Sequence, residues 1–358
     1  DMQFIDLKIE YQSIKSQLNK AIERVLDHGQ YIMGPEVMEL ESELALYTGS
    51  EYCISCSSGT DALLMSLMAA EIGSGDAVFS SPFTFIATAE VIQLLGATPV
   101  FVDIQEDTFN IDPILLTEAI NECQNDGKLN PKAVIPVDIF GLPADYAEID
   151  EMGKENNLFI LEDAAQSFGG CIQGKKTGSF GDASATSFFP AKPLGCYGDG
   201  VAVFTDDGEF AEKLTSIREH GQGRSKYENT RIGINGRLDT IQAAILLEKL
   251  KIFPGELRKR NQIADQYRDL LGSHFVCQEI HGGYESAWAQ FSLLAEDTAH
   301  RSACQERLKK SGIPTVIYYS MPLHLQEAFN GLKYKKGDFP VSESISNRIF
   351  SLPMHPYL

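Results

Sequence analysis

Apolar strand-like segments alternate with helical segments from residue 52 to about residue 205 of this 358-residue chain. Repeated strand–helix units with apolar strands predict a parallel sheet that helices cover on both faces. We therefore expect an α/β domain of roughly 240 residues, counting the helices before it. Its predicted strands are YCISCSS, DAVFSSP, TPVFVDI, KAVIPVDIFG, LFILEDAAQ, ASATSFFP and GVAVFTDD.

Helical segments precede the alternating region, and a region of mixed character follows it. YQSIKSQLNKAIERVLDHG and GPEVMELESELALYTG predict two helices that end at Gly29 and Gly49. The character of the sequence changes after the amphipathic segment RLDTIQAAILLEKLKIF. We expect the N-terminal helices and the large α/β domain in residues 1–250, and a smaller α+β domain in residues 251–358.

The charge and the apolar stretches exclude several classes of function. The chain has 50 acidic and 30 basic residues and a formal charge of −20, which disfavours a nucleic-acid partner. The first residues lack the apolar segment of a signal peptide, and every apolar stretch is shorter than the roughly 20 residues that a membrane helix needs. We expect a cytoplasmic protein with no membrane partner.

Cysteine usage indicates neither disulfides nor a metal centre. The seven cysteines are odd in number and irregularly spaced. Cys53 and Cys56 form a CxxC pair, but a structural zinc site would need a second such pair or a histidine cluster. A buried strand explains the pair better, and we expect no bound metal.

Polar residues follow the predicted strands where ligands collect in open α/β sheets. Ser58, Gly59 and Thr60 stand at a helix start, where free N–H groups favour a phosphate. An ordinary N-cap by Ser58 or Thr60 explains these residues equally well. Asp163 ends another strand, where it could bind a metal, act as acid or base, pair with a buried cation, or cap the next helix.

The segment SFFPAKPLGCYGDG holds Lys192 between Pro190 and Pro193, behind two phenylalanines. A lysine near apolar groups loses hydration, so its pKa falls. The neutral amine is then a nucleophile toward carbonyl carbons. The alternative is an exposed loop lysine, which the two prolines and the glycine-rich exit disfavour.

A phosphate-binding loop of the ATPase type is a competing interpretation of GGCIQGKKT. Gly169, Gly174 and Lys175 have the required spacing. The motif needs Ser or Thr after the lysine and then a helix, whereas Lys176 follows here and TGSFGDAS comes next. The ATPase interpretation is therefore disfavoured.

The remaining groups together match the needs of pyridoxal phosphate. Gly59 and Thr60 offer a phosphate site, and Lys192 offers an amine for the carbonyl. Asp163 offers an acid that keeps the pyridine nitrogen protonated, which makes the ring an electron sink. Phe85, at another strand end, can stack on the ring.

The sequence resembles the DegT/DnrJ/EryC1/StrS nucleotide-sugar aminotransferases, which are fold-type I pyridoxal-phosphate enzymes. The resemblance runs nearly end to end and in the right order. It implies a mixed, mostly parallel sheet covered by helices, with a small C-terminal α+β domain. The segments that carry it are SSGTDALLMSL, FTFIATAEVIQLLGATPVFVDI, ILEDAAQSFGG, residues 178–200, NGRLDTIQAAIL and SLPMHPYL.

By this resemblance, Lys192 is the Schiff-base lysine and the proton shuttle, Asp163 pairs with the pyridine nitrogen, and Phe85 stacks on the ring. The site is shared in a homodimer. The other cofactor-binding residues that the resemblance implies are Ser58, Gly59, Thr60, Gln166 (near the phenolic oxygen) and Ser187, with Asn235 reaching the phosphate of the partner subunit's site. Arg237, Tyr319 and His324 are implied to face the sugar nucleotide.

The resemblance implies transamination in two halves, with glutamate as amino donor and pyridoxamine phosphate as the intermediate form of the cofactor. The expected substrate is UDP-2-acetamido-2-deoxy-3-keto-glucuronic acid, in the biosynthesis of O-antigen and other lipopolysaccharide sugars. A 4-keto-6-deoxy sugar on UDP or dTDP is the alternative substrate, and a pyridoxal-phosphate-binding sensor is the non-enzymatic alternative. Lys192 argues against the related dehydratases, which carry histidine at that position.

Overall fold

The structure is a computed structural model that describes residues 2–225 and 227–358. Helices make up much of this part of the chain. Short 3-10 helices span Ile139–Gly141, Leu323–Leu325 and Glu327–Leu332. The α-helices are α1 (Leu7–Ser13), α2 (Lys15–His28), α3 (Pro35–Thr48), α4 (Gly59–Ala69), α5 (Ala87–Leu94), α6 (Pro113–Asp126), α7 (Tyr146–Asn156), α8 (Gly208–Arg218), α9 (Thr240–Leu271), α10 (Thr298–Lys310) and α11 (Pro340–Arg348).

The strands form one large sheet and two small ones. The large sheet has the order β1-β9-β8-β5-β4-β2-β3, and the small sheets have the orders β10-β12-β13 and β11-β6-β7. The strands are β1 (Tyr52–Cys56), β2 (Asp76–Ser80), β3 (Thr98–Phe101), β4 (Asn130–Ile135), β5 (Phe159–Asp163), β6 (Cys171–Ile172), β7 (Lys175–Lys176), β8 (Ala183–Ala185), β9 (Val201–Thr205), β10 (Val276–Cys277), β11 (Tyr284–Glu285), β12 (Phe291–Leu294) and β13 (Ile349–Leu352).

The large sheet is parallel except for β9. Strands β3, β2, β4, β5 and β8 pair in parallel, whereas β9 runs antiparallel to both β8 and β1. The carboxyl ends of the other six strands consequently meet at one edge. The predicted mixed, mostly parallel sheet is confirmed.

Helices cover both faces of the large sheet, as its apolar strands predict. Val78 and Leu161 pack on one face in a cluster with residues of α4, α5 and α8. Phe79 and Ile160, their neighbours in sequence, pack on the other face with residues of α6 and α7. Phe204 joins a further cluster between the sheet and helices α3 and α9. The alternation follows because successive strand residues point to opposite faces.

The helix ends agree with the predicted stop signals at two positions. Gly29 and Gly49 follow α2 and α3 with φ of 69° and 80°, a left-handed conformation that glycine adopts without steric penalty. Helix α9 runs without interruption through residue 250, with Pro254 inside it. The division into domains at residue 250 stays a prediction.

Two sequence motifs take the structural roles that were favoured for them. Cys53 and Cys56 are buried in β1, and burial raises the pKa of both thiols. Gly174 lies in the turn between the two-residue strands β6 and β7, and Lys175 begins β7, so no helix follows them. None of the described helices is both long enough and apolar enough to cross a membrane.

Candidate active site

Asp163 is the last residue of β5, at the carboxyl edge of the sheet. Its carboxylate is buried and accepts two hydrogen bonds, one at each oxygen. Thr88 Oγ1 donates to Oδ2 at 2.8 Å, and the Ala165 N–H donates to Oδ1 at 3.2 Å. Burial raises the pKa of Asp163, while the bonds from Thr88 and Ala165 and the charge of Lys192 oppose that rise. The acid is held in place, with lone pairs left for a further donor.

Lys192 lies in a tight turn that follows β8. Its N–H donates to the carbonyl of Phe189 at 2.8 Å, and Pro190 and Pro193 flank it. Burial lowers the pKa of the Lys192 amine to about 8, and the negative charge of Asp163 partly offsets this effect. About a tenth of the amine is therefore neutral and nucleophilic at neutral pH.

The start of α4 faces the segment after β8. Ser58 is the N-cap residue, since its Oγ accepts the N–H of Asp61 at 3.2 Å, as the N-cap interpretation predicts. A Cβ built on Gly59 would lie 3.6 Å from Oγ of Ser187. The first N–H groups of a helix have no acceptor within the helix. Gly59, Thr60 and Ser187 therefore combine free donors at one helix N-terminus, which favours an anion.

Gln166 and Tyr319 meet on another side of the site. Gln166 Oε1 accepts the N–H of Phe140 at 2.8 Å, and Nε2 donates to the Tyr319 hydroxyl at 3.2 Å. The Tyr319 ring packs edge-on against Phe83, with 6.0 Å between the ring centroids. Burial raises the pKa of the Tyr319 phenol, so it stays a neutral hydrogen-bonding group. The structure thus joins two residues that lie 153 positions apart in the sequence.

Phe85 and Asn235 are both exposed, and Phe85 directly follows a buried segment. Phe85 stands just before α5 with 56% of its surface exposed, so its ring is free to stack on a ligand. Asn235 is exposed at a cavity of about 390 Å³. The residues that line this cavity are Ile32, Ser57, Gly198, Asp199, Asn235, Arg237, Asp239 and Gln242.

His324 is buried, with 2% of its surface exposed. Its Nε2 lies 2.9 Å from Oε1 of Glu343, and its ring packs edge-on against Phe339. These contacts account for Nε2, while Nδ1 is buried without a hydrogen-bond partner among the described residues. A role of His324 toward the sugar nucleotide stays a prediction.

The described residues fit pyridoxal phosphate. Lys192 supplies an amine with a lowered pKa, Asp163 supplies an oriented carboxylate, and the α4 N-terminus supplies anion donors. The sequence interpretation missed Thr88, which bonds directly to Asp163. Its position one residue into α5 carried no sequence signal, since its partner lies 75 residues later.

Comparisons with known proteins point in the same direction. The family model described as the DegT/DnrJ/EryC1/StrS aminotransferase family matches residues 12–358. The UDP-2-acetamido-2-deoxy-3-oxo-D-glucuronate aminotransferase of Pseudomonas aeruginosa is 45% identical over 363 residues, covering 100% of this chain and 96% of that protein.

Solved structures match as well. A DegT DnrJ EryC1 StrS aminotransferase from Brucella abortus superposes with a TM-score of 0.97 at 51% identity, covering 100% of this chain and 95% of the other. NtdA from Bacillus subtilis, solved with the cofactor PMP bound, superposes with a TM-score of 0.88 at 28% identity, covering 99% of this chain and 79% of the other.

Proposed function

The chain belongs to the DegT/DnrJ/EryC1/StrS aminotransferase family, and from this premise we propose that it aminates the 3-keto group of UDP-2-acetamido-2-deoxy-3-keto-glucuronic acid with glutamate as donor. Membership confirms the predicted family, the fold-type I fold, the aminotransferase activity and the pyridoxal phosphate cofactor. The observation that carries the choice of sugar is the 45% identity to the Pseudomonas aeruginosa enzyme along the whole chain.

Lys192 has the central role in this proposal. When bound, pyridoxal phosphate supplies a carbonyl that takes up an amino group and a ring that withdraws electrons. The neutral amine of Lys192 takes the proton from the α-carbon of the amino donor. It later returns a proton to the sugar carbon that receives the amino group. A pKa of about 8 suits both directions, because such an amine gives and takes protons near neutral pH.

The other site residues hold the cofactor in this proposal. Asp163 binds the ring nitrogen, Phe85 stacks on the ring, and Gln166 lies near the phenolic oxygen. The cofactor phosphate is held by Ser58, Gly59, Thr60 and Ser187. The exposed side chain of Asn235 reaches the corresponding phosphate of a second copy, so the working unit is a homodimer with shared sites.

The sugar nucleotide meets Arg237, Tyr319 and His324 in this proposal. Arg237 lines the same cavity as Asn235, and its Nε is buried without a partner among the described residues. An unpaired buried donor favours a ligand oxygen at that place. We place the reaction in the cytoplasm, in the biosynthesis of lipopolysaccharide O-antigen sugars.

Turnover of two competing keto sugars tests the substrate. The purified protein, loaded with cofactor, is given glutamate and either the 3-keto-glucuronic acid or a 4-keto-6-deoxy sugar on UDP or dTDP. Chromatography of the amino sugar product should show faster amination of the 3-keto compound. Equal or faster use of the 4-keto compound would contradict the proposal. Lys192→Ala is the control variant and should aminate neither sugar.

A further inference from the structure

The hydroxyl of Thr88 forms its hydrogen bonds with two other side chains and not with the backbone of its own helix. Thr88 lies in the first turn of α5 with 1% of its surface exposed. Its Oγ1 donates to Asp163 Oδ2 at 2.8 Å and lies 3.2 Å from Oγ1 of Thr84. A hydroxyl carries a single proton, so Thr84 must be the donor to Thr88. The three side chains form a directed relay from Thr84 through Thr88 to Asp163.

We propose that Thr88 is a positioning residue for the amino transfer: its hydroxyl fixes the carboxylate of Asp163 in the orientation and the ionised state that the cofactor's ring nitrogen requires. This inference rests on the proposed function, in which Asp163 binds that nitrogen. Thr88 itself touches neither the cofactor nor the sugar in this scheme. It acts through Asp163.

The position of Thr88 links two parts of the site. Its backbone N–H donates to the carbonyl of Phe85 at 3.3 Å, while its hydroxyl bonds to Asp163. Phe85 is proposed to stack on the cofactor ring, and Asp163 to bind the edge of the same ring. Thr88 therefore fixes the turn that carries Phe85 relative to the carboxylate of Asp163.

The hydroxyl of Thr88 also favours the charged form of Asp163. Burial disfavours the charged form of Asp163, and a hydrogen bond to a carboxylate favours it. Because Thr84 donates to Thr88, the bond from Thr88 to Asp163 is polarised and strengthened. Asp163 also has other titratable groups around it. They are Lys192, Tyr319, Tyr146 and the buried acids Glu162 and Asp138.

Binding of pyridoxamine 5′-phosphate to the cofactor-free, full-length protein tests this role. This probe cannot bond covalently to Lys192, so calorimetry reports the affinity that Asp163 and its neighbours supply. Thr88→Val keeps the shape of the side chain and its backbone bond to Phe85 but removes the hydroxyl. We expect its affinity to be on the order of tenfold weaker, since a hydrogen bond to a charged group is lost. Thr88→Ser, which retains the hydroxyl, should bind nearly as well as wild type.

Two further measurements separate positioning from a merely structural role. An analogue of the probe with carbon in place of the ring nitrogen should bind equally to wild type and Thr88→Val. Lowering the pH should weaken probe binding at a higher pH in Thr88→Val than in wild type, because loss of the bond raises the pKa of Asp163 and its protonated form pairs poorly with the ring N–H. Thermal unfolding of each cofactor-free variant checks that it folds.

The outcomes distinguish failure of this inference from failure of the proposed function. Equal probe affinity of Thr88→Val and wild type would overturn the role of Thr88, provided that Asp163→Asn binds weakly. Equal losses for both probes, or failure of Thr88→Ser to restore binding, would overturn it as well. Unchanged affinity in Asp163→Asn would instead overturn the assignment of Asp163 in the proposed function. If Thr88→Val does not fold, Thr84→Val must weaken probe binding in the same direction for the relay to stand.

Discussion

Lys249 is buried and Lys192 is partly buried, and the groups around their amines differ. Lys249 has 1% of its side chain exposed and pairs with Oε2 of Glu10 at 2.8 Å, with the ring of Tyr197 centred 5.1 Å away. Lys192 forms no ion pair with a carboxylate within residues 2–225 and 227–358, and the charge of Asp163 reaches it only through space. Asp163 already accepts bonds from Thr88 and Ala165.

The difference shows how one chain makes a lysine structural in one place and reactive in another. A contacting carboxylate compensates the charge of a buried amine. Without such contact, burial favours the neutral form, as the lowered pKa of Lys192 indicates. The same type of side chain therefore serves packing on α9 and, in the proposed function, chemistry in the turn after β8. Removing Lys249 should lower the free energy of unfolding of the cofactor-free protein, whereas removing Lys192 should raise it.

Loss of Lys249 should have the largest effect on stability. Lys249→Met leaves the carboxylate of Glu10 buried without its cation, and breaking a buried pair in this way costs about 3 to 5 kcal/mol. Unfolding of the cofactor-free protein in denaturant measures this change. Lys249→Met combined with Glu10→Leu should recover most of the loss, because no buried charge is then left unpaired.

An exposed pair provides the control for that experiment. Lys213 lies 3.4 Å from Glu71, with 40% and 79% of the two side chains exposed. Lys213→Met should change the free energy of unfolding by less than about 1 kcal/mol. If Lys249→Met cost no more than Lys213→Met, the pairing of Lys249 would not be what distinguishes it from Lys192.

Loss of Lys192 should stabilise the cofactor-free protein. Burial moves its pKa from 10.5 to about 8, so at neutral pH folding carries into the site a charge that Asp163 compensates only in part. Lys192→Met should raise the free energy of unfolding by about 1 to 3 kcal/mol, a range that allows for the partial exposure of the Lys192 residue. The gain is complete below about pH 8 and shrinks as the pH rises toward 10.5, because the folded protein then loses this proton before the unfolded chain does. A variant less stable than wild type at neutral pH would contradict this expectation.

The smallest effect concerns the pH at which the Lys192 amine becomes reactive. The rate at which the cofactor-free protein combines with pyridoxal phosphate should rise with pH and level off above about 8. Borohydride trapping and mass spectrometry of the peptide that contains Lys192 measure this rate. In Asp163→Asn the curve should move to lower pH, since the charge of Asp163 raises the pKa of Lys192. A shift to higher pH would mean that Asp163 does not act on the amine by charge.

The layers of the fold follow from the periodicity of the sequence, but the direction of one strand does not. The segment GVAVFTDD predicts a strand, and β9 is there. Its antiparallel direction depends on how the chain connects β8 to β9 through the Lys192 turn. The apolar content of the strand gives no information about that connection. Likewise ASATSFFP predicts a strand, yet β8 keeps only Ala183–Ala185. The N–H groups of Thr186 and Phe188 still donate to the carbonyls of Ala202 and Gly200.

Tertiary contacts explain why α9 continues past an internal proline. Pro254 and Gly255 lie inside α9, although an internal proline removes a helix hydrogen bond and costs about 3 kcal/mol. The helix nevertheless continues through both residues. Phe253, Glu256 and Arg260 are buried on either side of the proline. Apolar packing of Phe253 holds the helix before the proline. After it, the Tyr357 hydroxyl donates to Glu256, and Arg260 donates to the carbonyls of Trp288 and Met354.

The sequence alone could identify the candidate residues of the site, but it could not predict the hydrogen bonds that join them. Lys192 and Asp163 stand in local patterns, a double-proline turn and an apolar run that ends in an acid. The bonds of Asp163 to Thr88 and of Gln166 to Tyr319 join residues 75 and 153 positions apart. A single sequence carries no signal for contacts of that separation.

The antiparallel pairing of β9 with β1 sets the order in which a growing chain can assemble its site. Tyr52 pairs with Thr205, and Cys56 pairs with Val201, so the strand before α4 lacks this neighbour until residue 205 has been synthesised. Gly59 likewise meets Ser187 only after most of the large sheet exists. During translation, therefore, the cofactor cannot act as an early template for folding. In the proposed function it needs Lys192, and by then six of the seven strands of the large sheet have been synthesised.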